Sequence, residues 1–132
     1  MKILLDTHIF LWYLSGDARL SEPVRGVIQD INNDVFLSVV SIWEIVIKHR
    51  LGKINLPSEP STYLIHQRQL HQIESLQLDE GSISKLTNLP DIHRDPFDRM
   101  LICQAQYHDM TIATVDATIC RYPVDVLRTE NV

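Results

Sequence analysis

Lys2-Ile3-Leu4-Leu5-Asp6-Thr7-His8 is the stretch whose reading decides the fold. Its apolar run spans only Lys2–Leu5 and halts at an acid, which reads as a short buried strand. The next segment, Thr7–Leu14, looks helical and ends at Ser15-Gly16. The same alternation recurs outward along the chain. Ser21-Glu22-Pro23 opens a second helix, because serine caps well and proline is tolerated in a first turn. Val24, Val27, Ile28 and Ile31 then fall at i, i+3, i+4 and i+7, one apolar helical face. Asn32-Asn33-Asp34 turns the chain into Val35–Val40, a β-branched strand. Ser41–Leu51 is helical, with Gly52 as its stop. Lys53–Ser61 connects to a helix over Thr62–His71, a strand over Ile73–Leu78 and a helix over Ser82–Leu89. Asp95-Pro96 opens a strong helix to about His108. Met110–Val115 is a strand, Asp116–Cys120 a short helix, and Pro123–Leu127 a last strand.

Strands separated by helices pair in parallel and are covered on both faces. The expected fold is therefore α/β, a three-layer α/β/α sandwich around a mostly parallel sheet. Its 132 residues suit one domain over 1–132. With 45% hydrophobic and 22% charged residues the chain can build a core, so whole-chain disorder or coiled coil is excluded. No apolar run approaches the ~18–20 residues of a membrane span. The N-terminal run meets Asp6 too early for a signal peptide. Two cysteines, Cys103 and Cys120, read as free thiols of a reducing compartment. The expected location is cytoplasmic.

The net charge of −5 argues against a general electrostatic nucleic-acid binder. It is compatible with a metal enzyme, whose clustered carboxylates lower the charge while bound cations restore it. In open parallel sheets, function gathers at the carboxyl ends of the strands. Asp6 follows the first strand and Asp116 the strand Met110–Val115. Glu44 lies in the first turn after the second strand, and Asp98 in the first turn after Asp95-Pro96. Singly, each acid has a capping alternative: Asp6 and Asp116 as N-caps, Ser41-Ile42-Trp43-Glu44 as a capping box, Asp95 as cap with Asp98 behind it. Together, four acids at one edge repel unless cations are present. Hard oxygen ligands of this kind suit Mg²⁺ or Mn²⁺.

Leu4-Leu5-Asp6-Thr7-His8, Ser41-Ile42-Trp43-Glu44, His93-Arg94-Asp95-Pro96-Phe97-Asp98-Arg99-Met100-Leu101-Ile102 and Thr114-Val115-Asp116 stand in that order. In order and spacing, over essentially the whole chain, they resemble the PIN-domain family, in particular the VapC-like ribonuclease toxins of toxin–antitoxin pairs. The resemblance implies an α/β/α fold, Mg²⁺- or Mn²⁺-dependent endoribonuclease activity, an RNA substrate and a small antitoxin partner. Asp6, Glu44, Asp98 and Asp116 match the family's acidic quartet as catalytic and metal-binding residues, and Thr7 and Thr114 match polar positions beside it. One or two carboxylate-held ions can activate water, neutralise phosphoryl charge and assist the leaving oxygen. In-line hydrolysis of that kind would leave a 5′-phosphate and a 3′-hydroxyl.

Around the acids, Arg94 and Arg99 are candidate phosphate contacts, with Thr7 and Thr114 as further substrate-side residues. Lys48, His49 and Arg50 read more simply as cations complementing the end of a helix dipole. His93 either contacts RNA or caps. His66 and His71 are five apart and share no helical face, so a zinc pair is not expected. Apolar residues on Leu5–Leu14, Phe10, Trp12 and Tyr13 among them, and on Val24–Ile31, exceed what a small core needs. They are expected to support a homodimer or an antitoxin helix laid in a groove. A competing reading is a non-catalytic Mg²⁺-binding regulatory or protein-interaction domain. A phosphorelay receiver, however, needs paired acids after the first strand and a lysine after the last, and no lysine follows Lys85.

Overall fold

The computed structural model describes residues 1–128. Strand β1 (Lys2–Leu5) lies at the centre of a five-stranded sheet. It pairs in parallel with β2 (Asp34–Ser38) on one side and β4 (Thr111–Thr114) on the other. β3 (Glu74–Leu76) lies beyond β2 and β5 (Val126–Arg128) beyond β4, both parallel, giving the order β3-β2-β1-β4-β5. Helices α1 (Thr7–Ser15), α2 (Glu22–Gln29), α3 (Val39–Arg50), α4 (Pro60–Leu70), α5 (Glu80–Lys85) and α6 (Pro96–His108) occupy the connections. This is the expected α/β/α arrangement.

Side chains alternate across a strand, so β1 feeds two cores. Ile3 and Leu5 join Ile9, Phe10, Val24 and Ile28 of α1 and α2 on one face. Leu4 joins Leu101, Ile102, Cys103 and Ala105 of α6 on the other. All three β1 residues are fully buried, which explains the unbroken apolar run. Cys103 and Cys120 are free thiols, the first buried. Among the described residues, no helix is long and apolar enough to cross a membrane.

Several boundaries differ from the sequence reading. β2 stops at Ser38, two residues short of Val40, and α3 begins at Val39. The Ser38 hydroxyl accepts the Val40 N–H at 3.0 Å and donates to Gln104 Oε1 at 2.6 Å. This N-cap outweighs the β preference of two valines. Ser41 is therefore not a cap, and the capping box with Glu44 does not form. α2 ends at Gln29, so Ile31 lies past the helix and is 91% exposed. Asp79 caps α5 two residues earlier than expected, and the expected helix closes as a 3₁₀ turn at Leu86–Asn88. After Asp116 only the 3₁₀ turn Ile119–Arg121 forms. β5 starts at Val126, not Pro123. Gly52 ends α3 in the left-handed conformation, φ 76°, which glycine adopts without steric cost.

Candidate active site

The strand order reverses direction between β1 and β4, and such switch points open a crevice at the carboxyl edge. Asp6 leaves β1 at that edge and Asp116 follows β4. Asp6 Oδ1 accepts the His8 N–H at 3.2 Å and caps α1, while Oδ2 accepts from Thr114 Oγ1 at 2.6 Å. Asp95 caps α6 through the Phe97 and Asp98 N–H groups, placing Asp98 in its first turn. Capping and clustering are thus not alternatives here: the cap geometry aims the acids.

Asp98 sits at the meeting point. Burial pushes its carboxyl up to about 8, and the charges of Asp6, Asp95, Glu44 and Asp116 add to the rise in that order. The other three acids of the expected quartet therefore all act on Asp98. Asp6 is also held above the usual carboxylate range, chiefly by burial. At Asp116 burial opposes ionisation, but hydrogen bonds from His93 and the Thr118 N–H outweigh it and hold the group below its ordinary value. A buried cluster in which one acid must keep its proton at neutral pH lacks positive charge. Its oxygen-rich donor set fits a hard divalent cation.

Glu44 differs from the other three. It is 2% exposed, and both of its oxygens have partners. Thr7 Oγ1 donates to Oε1 at 2.8 Å and Lys48 Nζ to Oε2 at 2.5 Å. Lys48 therefore does more than complement the α3 dipole: it is the ammonium of the acid cluster. Its pKa is raised by the Glu44 bond first and by the charges of Asp95 and Asp98 after it. His49 and Arg50 remain basic residues of the last turn.

The expectation that Thr7 and Thr114 touch substrate meets a different placement. Both are buried. A hydroxyl carries one proton; Thr7 gives its proton to Glu44 and has Ser41 Oγ at 2.9 Å. Thr114 donates to Asp6 and accepts the Asp116 N–H at 2.9 Å. They hold acids in place and have no surface left for RNA. Arg99 is likewise occupied elsewhere. Its Nη1 donates to Pro90 O at 2.9 Å and lies 3.3 Å from His93 O and 3.5 Å from the Tyr122 hydroxyl, and Nη2 pairs with Asp91. Its donors fix the 90–93 loop. Arg94 is exposed and has no hydrogen bond or ion pair among the described residues.

That loop delivers His93 to the site, with Nε2 2.8 Å from Asp116 Oδ2 and 3.1 Å from Asp98 Oδ2. Ligand atoms of His93, Asp98 and Asp116 all lie within 4.8 Å of one another. Tyr122, 4% exposed, anchors the loop. Its hydroxyl accepts the Ile92 and His93 N–H groups at 3.0 and 2.7 Å and donates to Pro90 O at 2.8 Å. Nothing around Arg-Tyr-Pro in the sequence marks this role. Tyr122→Phe leaves these backbone groups without their partner, so unfolding in urea should show a loss of about 1–3 kcal/mol. An unchanged midpoint would mean that the hydroxyl does not hold the loop.

Comparison with known proteins agrees with this geometry. The family model described as PIN domain matches residues 3–125. Ribonuclease VapC16 of Mycobacterium tuberculosis is 46% identical over 55 residues, 42% of this chain. The match spans 37% of that relative's length. Among solved structures, VapBC2 from Rickettsia felis, bound to a promoter DNA fragment, superimposes with a TM-score of 0.75 at 13% identity, covering 97% of this chain and 98% of that one. VapBC-1 from nontypeable Haemophilus influenzae gives 0.68 at 16% identity, covering 99% and 100%. The strand order, the acids at the switch point and the near-complete family match agree: this chain belongs to the PIN-domain family.

Proposed function

We propose that the protein is a metal-dependent endoribonuclease acting as the toxin of a toxin–antitoxin pair. The observation that carries this is the convergence of Asp6, Glu44 and Asp116 on Asp98, whose carboxyl is pushed up to about 8 by burial first and by these neighbouring charges after it. Asp6, Asp98 and Asp116 would hold Mg²⁺ or Mn²⁺. The ion supplies charge neutralisation at the scissile phosphate and an activated water. Glu44, tied to Thr7 and Lys48, keeps Lys48 among the acids. Arg94, exposed two residues before the α6 start, would meet the RNA backbone. The relative named as a ribonuclease supports the substrate class.

One similar solved structure, from Klebsiella pneumoniae, is described as a toxin–antitoxin complex. Here a groove lined by Leu11, Trp12, Leu14, Leu56 and Tyr63 would take an apolar helix of a small antitoxin. A second copy of the chain is the competing occupant. Sedimentation with and without a co-expressed partner separates the two.

The direct test is cleavage of a single-stranded, loop-containing RNA with Mn²⁺, with and without excess EDTA. Cleavage should stop with the chelator and return with added metal. Undiminished cleavage in excess EDTA would overturn the mechanism.

A further inference from the structure

His93 is the basic group that touches two of the three proposed metal ligands, and its ring is oriented from both sides. Nε2 faces Asp116 Oδ2 at 2.8 Å and Asp98 Oδ2 at 3.1 Å. Nδ1 faces a donor, the backbone N–H of Asp95, at 3.1 Å. A ring nitrogen that accepts a hydrogen bond carries no proton. The proton of the neutral ring must then sit on Nε2, between the two carboxylates.

This arrangement is the reverse of a metal-binding histidine. There the free nitrogen takes the metal and the other ring nitrogen donates its N–H to an acceptor. For His93 to ligate through Nε2, the proton would have to move to Nδ1, against the Asp95 N–H. An imidazolium would meet the same obstacle, having protons on both nitrogens. The backbone that carries the ring is held as well: the Tyr122 hydroxyl accepts the His93 N–H and Arg99 Nη1 donates to the His93 C=O. Asp95 does double duty, since its carboxylate caps α6, which carries Asp98, while its N–H fixes the His93 ring.

We propose that His93 is a neutral N–H clamp, a positioning residue that is not a metal ligand: its Nε2–H is shared by Asp98 and Asp116 and holds one oxygen of each at a fixed spacing. Asp98 Oδ1 is thereby left for the cation, while Asp116 Oδ1, which accepts the Thr118 N–H at 2.8 Å, offers its remaining lone pair. The inference rests on the metal-site reading above, but its first test does not need that reading to hold.

The test reads the ring nitrogens of ¹⁵N-histidine-labelled protein by long-range proton–nitrogen correlation, with His93→Gln used to assign the signal. Metal-free wild type should show Nε2 protonated and Nδ1 bare, and saturating Mg²⁺ should leave that pattern unchanged. A proton on Nδ1 in the metal-free protein overturns the clamp. So does loss of the Nε2 proton on adding Mg²⁺, which would make His93 a ligand. The second arm is Mn²⁺ titration of the variants. His93→Leu removes the donor and should weaken Mn²⁺ binding about 10- to 100-fold, the usual cost of losing a group that orients metal ligands. The Gln amide can again donate, so His93→Gln should recover most of the affinity. Equal losses in both variants, or no loss in either, overturn the clamp. A wild type that binds no Mn²⁺ overturns the ribonuclease proposal instead, and the metal-free tautomer still decides the role of His93.

Discussion

Asp98→Asn should reduce RNA cleavage by orders of magnitude while leaving the metal-free protein at least as stable as the wild type. The two halves share one cause. At neutral pH the buried Asp98 carboxyl, held up to about 8, keeps its proton without metal, so a neutral amide of the same shape replaces a neutral acid. The unfolded chain ionises near 3.8, so between pH 4 and 8 the unfolded state binds fewer protons than the folded one. Stability of the metal-free wild type should therefore fall as pH rises through that window, by up to ~1.4 kcal/mol per unit. The contribution is fully present below pH 4 and lost above 8. Asp98→Asn should flatten this slope. Saturating metal reverses the order: wild type gains about 2.7 kcal/mol at 100 times the dissociation constant, and the variant gains much less. Melts across pH with EDTA or Mn²⁺, beside a cleavage assay, check both halves. A variant that keeps the metal-induced shift and the cleavage would remove Asp98 from the site.

How much of this was legible in the sequence depends on the range of the interactions concerned. The apolar run of β1 and its halt at Asp6 encode burial on both faces, a local pattern, and the order of strands and helices followed from repeating it. The three aspartates were legible because strand ends and an Asp-Pro cap fix where they emerge. The sequence puts Glu44 in the first turn of its helix, but α3 begins at Val39 and leaves it in the second turn, and the capping-box alternative fails because Ser41 bonds to Thr7. Thr7 and Thr114 enter the substrate side through the family resemblance, and Arg99 as the neighbour of Asp98. In space, each is already bonded to a group far along the chain or to the 90–93 loop. Such long-range partners leave no periodicity to read. The placement of the His93 backbone depends on Tyr122, 29 residues away, and is invisible for the same reason.

Lys48 is the sharpest case, because the sequence offered a sufficient explanation for it. Three basic residues in the last turn of α3 complement a helix dipole, and on that account Lys48→Met should cost at most ~1 kcal/mol whatever stands at position 44. The geometry gives a different expectation. Glu44 is almost wholly buried and Lys48 Nζ is its only cation among the described residues. Removing one partner of a buried ion pair costs about 3–5 kcal/mol. Since the Lys48 side chain is 31% exposed, water can partly replace it, and roughly 2 kcal/mol is expected. Methionine keeps most of the aliphatic stem, so the loss reports charge more than packing. Glu44→Gln removes the orphaned charge while its carbonyl still accepts from Thr7. In that background Lys48→Met should cost little, and the double-mutant cycle should return a coupling of roughly 2 kcal/mol. A dipole role predicts a coupling near zero. Divalent metal supplies an opposite sign: losing an ammonium that faces Asp98 and Asp95 makes the site more negative, so Lys48→Met should bind Mn²⁺ several-fold more tightly even as its metal-free form is destabilised. Lower stability with unchanged Mn²⁺ affinity would place Lys48 outside the acid cluster's field and return it to the helix end.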